Sequence, residues 1–329
     1  MVTVDEESAG QRLDNFLIRH LKGVPKTHVY RIIRSGEVRV NKGRASADTR
    51  VETGDVVRLP PVRTSDKAEA KLANPAPGRE FPLLLEDDAL LAIDKPAGVA
   101  VHGGSGVSFG VIEQLRQARP AAKFLELVHR LDRETSGILL VAKKRSALKH
   151  LQDQFRERET GKTYLALVVG HWPANKKVLD KPLHKYLLDG EEGVHGTGER
   201  RVKVVSRDDP DGMKSVTLVK VRGVSPAGAG PGGNSFSLLE ATIKTGRTHQ
   251  IRVHLASEGM PIAGDDKYGD FDLNKALQKH SGGAVLKRMF LHAWRLQFKH
   301  PVSGERIELL AQLPPDLQQF LAYVIPTQS

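Results

Sequence analysis

The sequence predicts an α+β fold in two unequal parts, and three observations carry that reading. Near the N-terminus, apolar residues fall at helical spacing over two short stretches. Beyond about residue 81, short apolar runs bounded by acidic, Pro and Gly turns recur. Few strand-helix-strand crossovers separate those runs, which favours a largely antiparallel twisted sheet. The expected division is a small unit over 1–62, a linker over 63–80 that carries Lys, Glu, Ala and Pro without apolar periodicity, and a larger domain over 81–329.

In the small unit, Leu13, Phe16, Leu17 and Leu21 space as one face of a helix, and Val29, Ile32 and Ile33 as one face of a second. Pro25 suits the first turn of that second helix and Gly36 its C-terminal end. Val38 and Val40 then alternate with Glu37 and Arg39 as a strand running into an Asn41-Lys42-Gly43 turn. Between Arg19 and Arg44 stand eight basic residues (Arg19, Lys22, Lys26, Arg31, Arg34, Arg39, Lys42, Arg44) against one acid, Glu37. A surface of that sign attracts phosphates.

The larger domain opens with two predicted strands, Leu83-Leu84-Leu85-Glu86 and Leu90-Leu91-Ala92-Ile93-Asp94, the second ending in Lys95-Pro96-Ala97-Gly98. Ser108 is placed to cap a helix that Pro120 terminates. Leu127-Val128 leads to the polar cluster His129-Arg130-Leu131-Asp132-Arg133-Glu134-Thr135-Ser136-Gly137, and Ile138-Leu139-Leu140-Val141-Ala142 reads as the next strand. Charges on a turn between apolar strands sit where a rigid sheet aims side chains into a cleft. Further on, a helix over 248–256 is expected, and the glycine-rich stretch from Ser225 to Gly233 reads as a mobile loop. By itself the cluster leaves Asp132 open between general base, metal ligand, nucleophile and a plain ion pair with its arginines.

Bulk composition narrows the chemistry. Lys and Arg number 50 against 39 Asp and Glu, a formal charge of +11, so a polyanion is the expected partner. No run reaches the roughly 20 apolar residues of a spanning helix, the N-terminus lacks a signal pattern, and there is no cysteine, so a cytoplasmic chain without membrane partner is expected. Thiolate metal sites and cysteine nucleophiles are excluded outright. No Walker A sequence or dinucleotide fingerprint is present, and His102, His249 and His254 lack carboxylates at ligand spacing, so no cofactor and no metal are expected.

The front end, through Arg12-Leu13-Asp14, Tyr30-Arg31-Ile32-Ile33-Arg34-Ser35-Gly36 and Val38-Arg39-Val40-Asn41, resembles the S4 RNA-binding domain. This implies RNA held by Arg19, Lys22, Lys26, Arg31, Arg34, Arg39, Asn41 and Lys42, mainly through its backbone. The cluster around Asp132 resembles the catalytic motif of the ribosomal RNA pseudouridine synthases. Three further stretches are similar to motifs of that family in the same order: Asp94-Lys95-Pro96-Ala97-Gly98 with His102, Lys162-Thr163-Tyr164-Leu165-Ala166-Leu167-Val168, and Thr245-Gly246-Arg247-Thr248-His249-Gln250-Ile251-Arg252-Val253-His254. The resemblance implies a nucleophilic Asp132, a Tyr164 stacked on the extracted base, and an Arg252 that pairs with Asp132 and holds it charged and oriented. It also implies His129, Arg130 and Leu291 at the base-flipping pocket, Arg130 filling the gap left by the flipped nucleotide. The implied substrate is several uridines of 23S ribosomal RNA or its precursor, met by a monomer.

Two other readings compete. An RNA-binding assembly factor would be free to lose Asp132, Tyr164 or Arg252, yet all are present. A hydrolase of nucleoside bonds needs a second acid near Asp132, for which Glu134 is the sequence candidate.

Overall fold

A computed structural model describes residues 1–21, 24–62, 76–103, 109–187, 200–228, 230–279 and 283–326. Lys22, Ser108, most of the expected linker and the stretch 188–199 therefore lie outside the described residues. Two compact units divide the chain, Met1–Arg79 with Arg116–Phe124, and Glu80–Leu115 with Leu125–Ser329.

In the first unit, α1 (Leu13–His20) and α2 (Lys26–Arg34) follow the apolar spacing read from the sequence. Leu13, Phe16, Leu17, Val29 and Ile32 are fully buried in one cluster, each contributing about 1.5–3 kcal/mol of transfer free energy. Pro25 caps the start of α2, and Gly36 takes φ +75° just past its end, a conformation that costs glycine nothing. The strands β1 (Val2–Thr3), β2 (Arg39–Val40) and β3 (Val56–Arg58) form an antiparallel sheet in the order β1-β3-β2. Two of them escape the sequence reading because two or three residues are too few to show an alternation.

Arg19, Lys26, Arg31, Arg34 and Lys42 are exposed, and Arg39 is half-buried. Arg31 is partly engaged by Glu37 at 3.5 Å. Asn41, also exposed, is engaged locally: its side-chain amide donates to Asp55 Oδ1 (2.7 Å) and its oxygen accepts from Val56 N–H (2.9 Å). The two bonds lock a turn in which Asn41 and Lys42 have φ of 49° and 68°.

The second unit is built on a ten-stranded sheet. Its strands are β4 (Leu83–Glu86), β5 (Leu90–Lys95), β6 (Glu126–Leu127), β7 (Ser136–Ala142), β8 (Gly161–Val169), β9 (Val178–Asp180), β12 (Val216–Val224), β13 (Phe236–Ile243), β14 (Leu291–Lys299) and β15 (Arg306–Leu310). A separate antiparallel hairpin pairs β10 (Leu183–Leu187) with β11 (Arg200–Val204). The remaining helices of the chain are α3 (Val111–Ala118), α4 (Arg145–Glu157), α5 (Gln250–Ala256), α6 (Phe271–Lys279) and α7 (Pro315–Val324). No described helix is long and apolar enough to cross a membrane.

The main path of the sheet runs β4-β5-β7-β14-β8-β13-β12-β9, with β15 on β14 and β6 on β7. The largely antiparallel expectation holds with one exception, the parallel pairing of β7 and β14 through His292↔Ser136 and Ala293↔Gly137. Gly137 makes that junction possible. At its φ of +108°, a Cβ would stand 2.3 Å from the Ala293 carbonyl oxygen. Ser136 fixes the same junction from the side, since its hydroxyl meets His292 Nδ1 (2.9 Å) and accepts from Arg288 Nη2 (2.6 Å).

The stretch expected to be a mobile loop is tied across its base. Ser225 N–H donates to the Phe236 carbonyl (2.9 Å), Phe236 N–H to Ser225 Oγ (2.8 Å) and Gly230 N–H to the Asn234 carbonyl (2.9 Å). Composition shows the glycines, while the closing bonds come from residues downstream of them.

Candidate active site

Asp132 stands on the loop between β6 and β7, so two sheet strands carry its backbone. Leu131, buried in the core beneath, pins the loop from below. Lys95 at the end of β5 pins it from the side: its ammonium, fully buried, donates to the carbonyls of Pro96 (2.8 Å), Val99 (2.8 Å) and Arg133 (3.1 Å). Gly98 N–H adds a bond to the same Arg133 carbonyl at 2.9 Å. The turn after β5 and the Asp132 loop are thereby one hydrogen-bonded assembly, and the sequence signal for it was a lysine closing an apolar strand before Pro-Ala-Gly.

Burial pushes the Lys95 amine down from 10.5 to about 7. Its folded-state value lies below its unfolded one, so the unfolded chain binds more protons between those two values and stability rises with pH across that window. Replacing Lys95 by Met is expected to destabilise the protein by about 1–3 kcal/mol, because three buried carbonyls lose a donor. Denaturant titrations at neutral and alkaline pH test the sign: the gap between wild type and Lys95→Met widens as pH rises, and a pH-independent gap overturns it.

Arg252 reaches the loop from α5. With 4% side-chain exposure, it is clamped by Asp265 through Nε to Oδ2 (2.8 Å) and Nη2 to Oδ1 (2.7 Å), which leaves Nη1 to donate to Asp132 Oδ2 at 3.3 Å. Burial works to lower the guanidinium pKa, and the hydrogen bonds and charge of Asp265, with the charge of Asp132, outweigh it and raise it. Burial likewise works to raise Asp265, and Arg252 brings it below the usual carboxylate range. The sequence reading found the Arg252–Asp132 pair and missed Asp265. This aspartate is fully buried and also accepts from the N–H groups of Lys267 (2.8 Å) and Tyr268 (3.1 Å).

Tyr164 stands on β8 between Ala241 of β13 and Ala293 of β14, and the two alanines leave room for the ring. Burial raises its phenol well above the ordinary value and the Asp132 charge adds to the rise, so the hydroxyl stays protonated. Tyr164, Arg130, Leu291, Asp132 and Arg252 line one pocket. A neighbouring one shares Arg130, Asp132 and Arg252 and adds His102, Glu134 and Lys267.

His129 is the correction. Its ring stacks on Phe155 (centroids 4.7 Å apart), and its Nε2 accepts from Leu140 N–H at 3.1 Å. Burial pushes the imidazole down to about 4, and it lines neither pocket. Alternation accounts for this, since Arg130 beside it points to the cleft while His129 turns toward α4. His254 is likewise structural, bonded to Thr217 (2.9 Å) and the Lys181 carbonyl (3.0 Å). Glu134, the second acid of the hydrolase reading, is paired with Arg133 at 2.8 Å. One group of three potential metal ligands occurs among the described residues, His184, Asp209 and Asp211, and it includes no pocket residue.

The chain that carries this site, a carboxylate held by a buried arginine beside an aromatic ring in an open cleft, is similar to known proteins. The RNA pseudouridylate synthase family matches residues 89–257, and the S4 domain matches residues 11–57. The chain is 47% identical over 324 residues to ribosomal large subunit pseudouridine synthase C of Haemophilus influenzae, covering 98% of this chain and 94% of that one. It belongs to the RNA pseudouridylate synthase family. The namesake protein of Yersinia pestis is 48% identical over 325 residues, covering 98% and 94% of the two chains. Among solved structures, human RNA pseudouridylate synthase domain containing 4 superposes with a TM-score of 0.56 at 28% identity, over 74% of this chain and 92% of that one. The enzyme is therefore an RNA pseudouridine synthase, an isomerase, with an N-terminal S4 domain. The synthase motifs within residues 89–257 enclose Asp132, Tyr164 and Arg252, whereas Leu291 arrives on β14 from outside that match.

Proposed function

We propose that this synthase converts uridines of 23S ribosomal RNA to pseudouridine in the cytoplasm, with Asp132 as the nucleophile. The observation that carries the chemistry is the Asp132 carboxylate, 21% exposed in the cleft and bonded to Arg252 Nη1 at 3.3 Å. Support for the substrate comes from the relatives that match nearly the full chain, both ribosomal large subunit pseudouridine synthases.

In this reading the target nucleotide leaves its stack at a cost of a few kcal/mol, and the ring of Tyr164 offsets part of it by about 1–3 kcal/mol. Arg130, exposed at the pocket rim, occupies the space the base vacated. Asp132 attacks either the ribose C1′ or the uracil C6. The C1′–N1 bond breaks with its electron pair on the uracil, the base turns, and the C1′–C5 bond forms. The C5 proton is lost, N1 gains one, and the carboxylate oxygen is released, so no group and no redox equivalent is gained. Arg252 orients the carboxylate, and Leu291 packs the apolar side of the pocket.

Unmodified 23S, 16S and transfer RNA incubated with the wild-type enzyme, then mapped by chemical labelling and primer extension, test the substrate. Pseudouridine at several positions confined to 23S RNA is expected, and conversion of the other RNAs alone refutes it.

Charge on the S4 domain supplies affinity rather than chemistry in this reading. Replacing Arg19, Lys26 and Arg34 by Gln is expected to weaken RNA binding and to reduce the slope of log K against log salt by about 2–3, at about 0.7–0.9 per phosphate contact. An unchanged slope excludes these side chains from the RNA interface.

A further inference from the structure

His249 has a backbone conformation and a hydrogen-bond environment that the roles above leave unused. It stands at the start of α5 with φ of 52°, a left-handed conformation that only a few per cent of non-glycine residues adopt. Such strain persists where the surroundings over-determine it, and functional sites are where it collects. The ring lines both pockets, with Nε2 3.9 Å from Asp132 Oδ2 and Nδ1 2.8 Å from the Tyr268 hydroxyl.

The Tyr268 contacts bear on which ring nitrogen carries the proton. The Tyr268 oxygen already accepts from Val202 N–H of β11 at 3.1 Å. The acceptor left for its own proton among the described residues is His249 Nδ1. Donation from Tyr268 to Nδ1 uses both its hydrogen and a lone pair, and in that arrangement the neutral imidazole carries its hydrogen on Nε2, on the side of Asp132 and the cleft. Tyr268 is itself held, its ring under the Arg252 guanidinium at 5.2 Å and its N–H on Asp265. The charged groups acting on the ring are Asp132, Arg252, Lys267 and Asp265. Burial is the largest influence and keeps the imidazole below its ordinary pKa, hence neutral.

We infer that His249 Nε2–H is a catalytic hydrogen-bond donor to a carbonyl oxygen of the detached uracil, with Tyr268 as the positioning residue that fixes its tautomer. This rests on the proposed isomerisation. Whichever atom Asp132 attacks, cleavage of C1′–N1 places an electron pair on the uracil, and O2 and O4 share the charge. A preorganised neutral donor gains strength as that charge develops and has less to offer the intact nucleotide, the condition for accelerating a step rather than tightening binding. No proton is transferred to or from His249. The N–H stays on Nε2 while the pair moves from N1–C1′ to the new C1′–C5 bond.

The test uses the full-length enzyme on a 23S fragment containing a mapped target, in single turnover. His249→Phe is expected to slow conversion about 100-fold with RNA affinity unchanged. His249→Gln, which retains an N–H donor, recovers about tenfold of that, and Tyr268→Phe falls between because the ring remains but its tautomer is no longer fixed. Fragments with 2-thiouridine or 4-thiouridine at the target complete a cycle, sulfur being the poorer acceptor. The loss from His249→Phe and the loss from one of the two thio substitutions are expected not to add. Wild-type rates in His249→Phe overturn the inference, as do fully additive losses with both thio substrates or an equal deficit in His249→Gln with unaltered melting temperature. If Asp132→Asn matches wild type on the same fragment, the nucleophile reading fails. If wild type converts and Asp132→Asn does not, a full-rate His249→Phe removes only the role assigned to His249.

Discussion

Asp132→Asn is expected to lower single-turnover conversion by about 10⁴-fold or more while leaving the fold intact, since an amide cannot serve in the nucleophilic step proposed for Asp132. The structural half of this expectation comes from Arg252. Its guanidinium is anchored by two short bonds to Asp265, with Asp132 on the remaining nitrogen at a longer 3.3 Å. Removing the Asp132 charge leaves no buried cation unpaired, and the asparagine oxygen still accepts from Nη1. A change in unfolding free energy within about 1 kcal/mol is therefore expected, as for a partly exposed ion pair. Parallel measurement of conversion, RNA affinity and thermal denaturation checks it. Conversion within a few-fold of wild type removes Asp132 from the chemistry, and a collapsed melting temperature removes the claim that Asp265 carries Arg252.

Arg252→Met is expected to behave differently, losing both conversion and about 3–5 kcal/mol of stability, because it strands the fully buried Asp265. The pH dependence separates the two effects. In the wild type, Arg252 holds Asp265 below the usual carboxylate range, so its contribution is present above the unfolded pKa and lost as pH falls through the folded one. Without Arg252, only the Lys267 and Tyr268 N–H groups oppose the burial that works to raise Asp265, so its pKa rises, and acidification relieves the defect and narrows the gap to wild type. The double variant Arg252→Met/Asp265→Asn recovers most of the stability and none of the activity, since the stranded charge is gone while Asp132 still lacks its orienting donor. Denaturant curves across the acid range decide the matter. A single and a double variant of equal stability place the energetic weight elsewhere.

These outcomes bear on how a buried pair serves an exposed one. Arg252 costs desolvation that Asp265 offsets in the interior, and the surplus valence is presented to Asp132. An arginine held only by Asp132 would swing with it. Lys95 acts on the backbone of the same loop as Arg252 acts on its side chain, so the carboxylate is fixed at both ends by groups outside its own strand.

Much of this was legible in the residues alone. Helical spacing located α1 and α2, Pro25 and Gly36 bounded the second, and a continuous apolar run located the strand that follows Asp132. The motif around Asp132, with Tyr164 and Arg252, resembles a known family whose membership the comparisons show. All of these are local signals, set by periodicity, by capping and by the few residue types a turn accepts. Tertiary structure decided what depends on contacts between distant segments. Parallel pairing of β7 with β14 brings Leu291 beside Asp132, and Gly137 permits the approach. His129 went to Phe155 and Leu140 rather than to the pocket, and Asn41 took Asp55 and Val56 as partners. Asp265 and Tyr268, unremarkable in sequence, became the supports of Arg252 and His249. The physical reason is the same in each case. A side chain's type states what it can bond, while burial and the register of distant strands determine which partner stands within 3 Å of it.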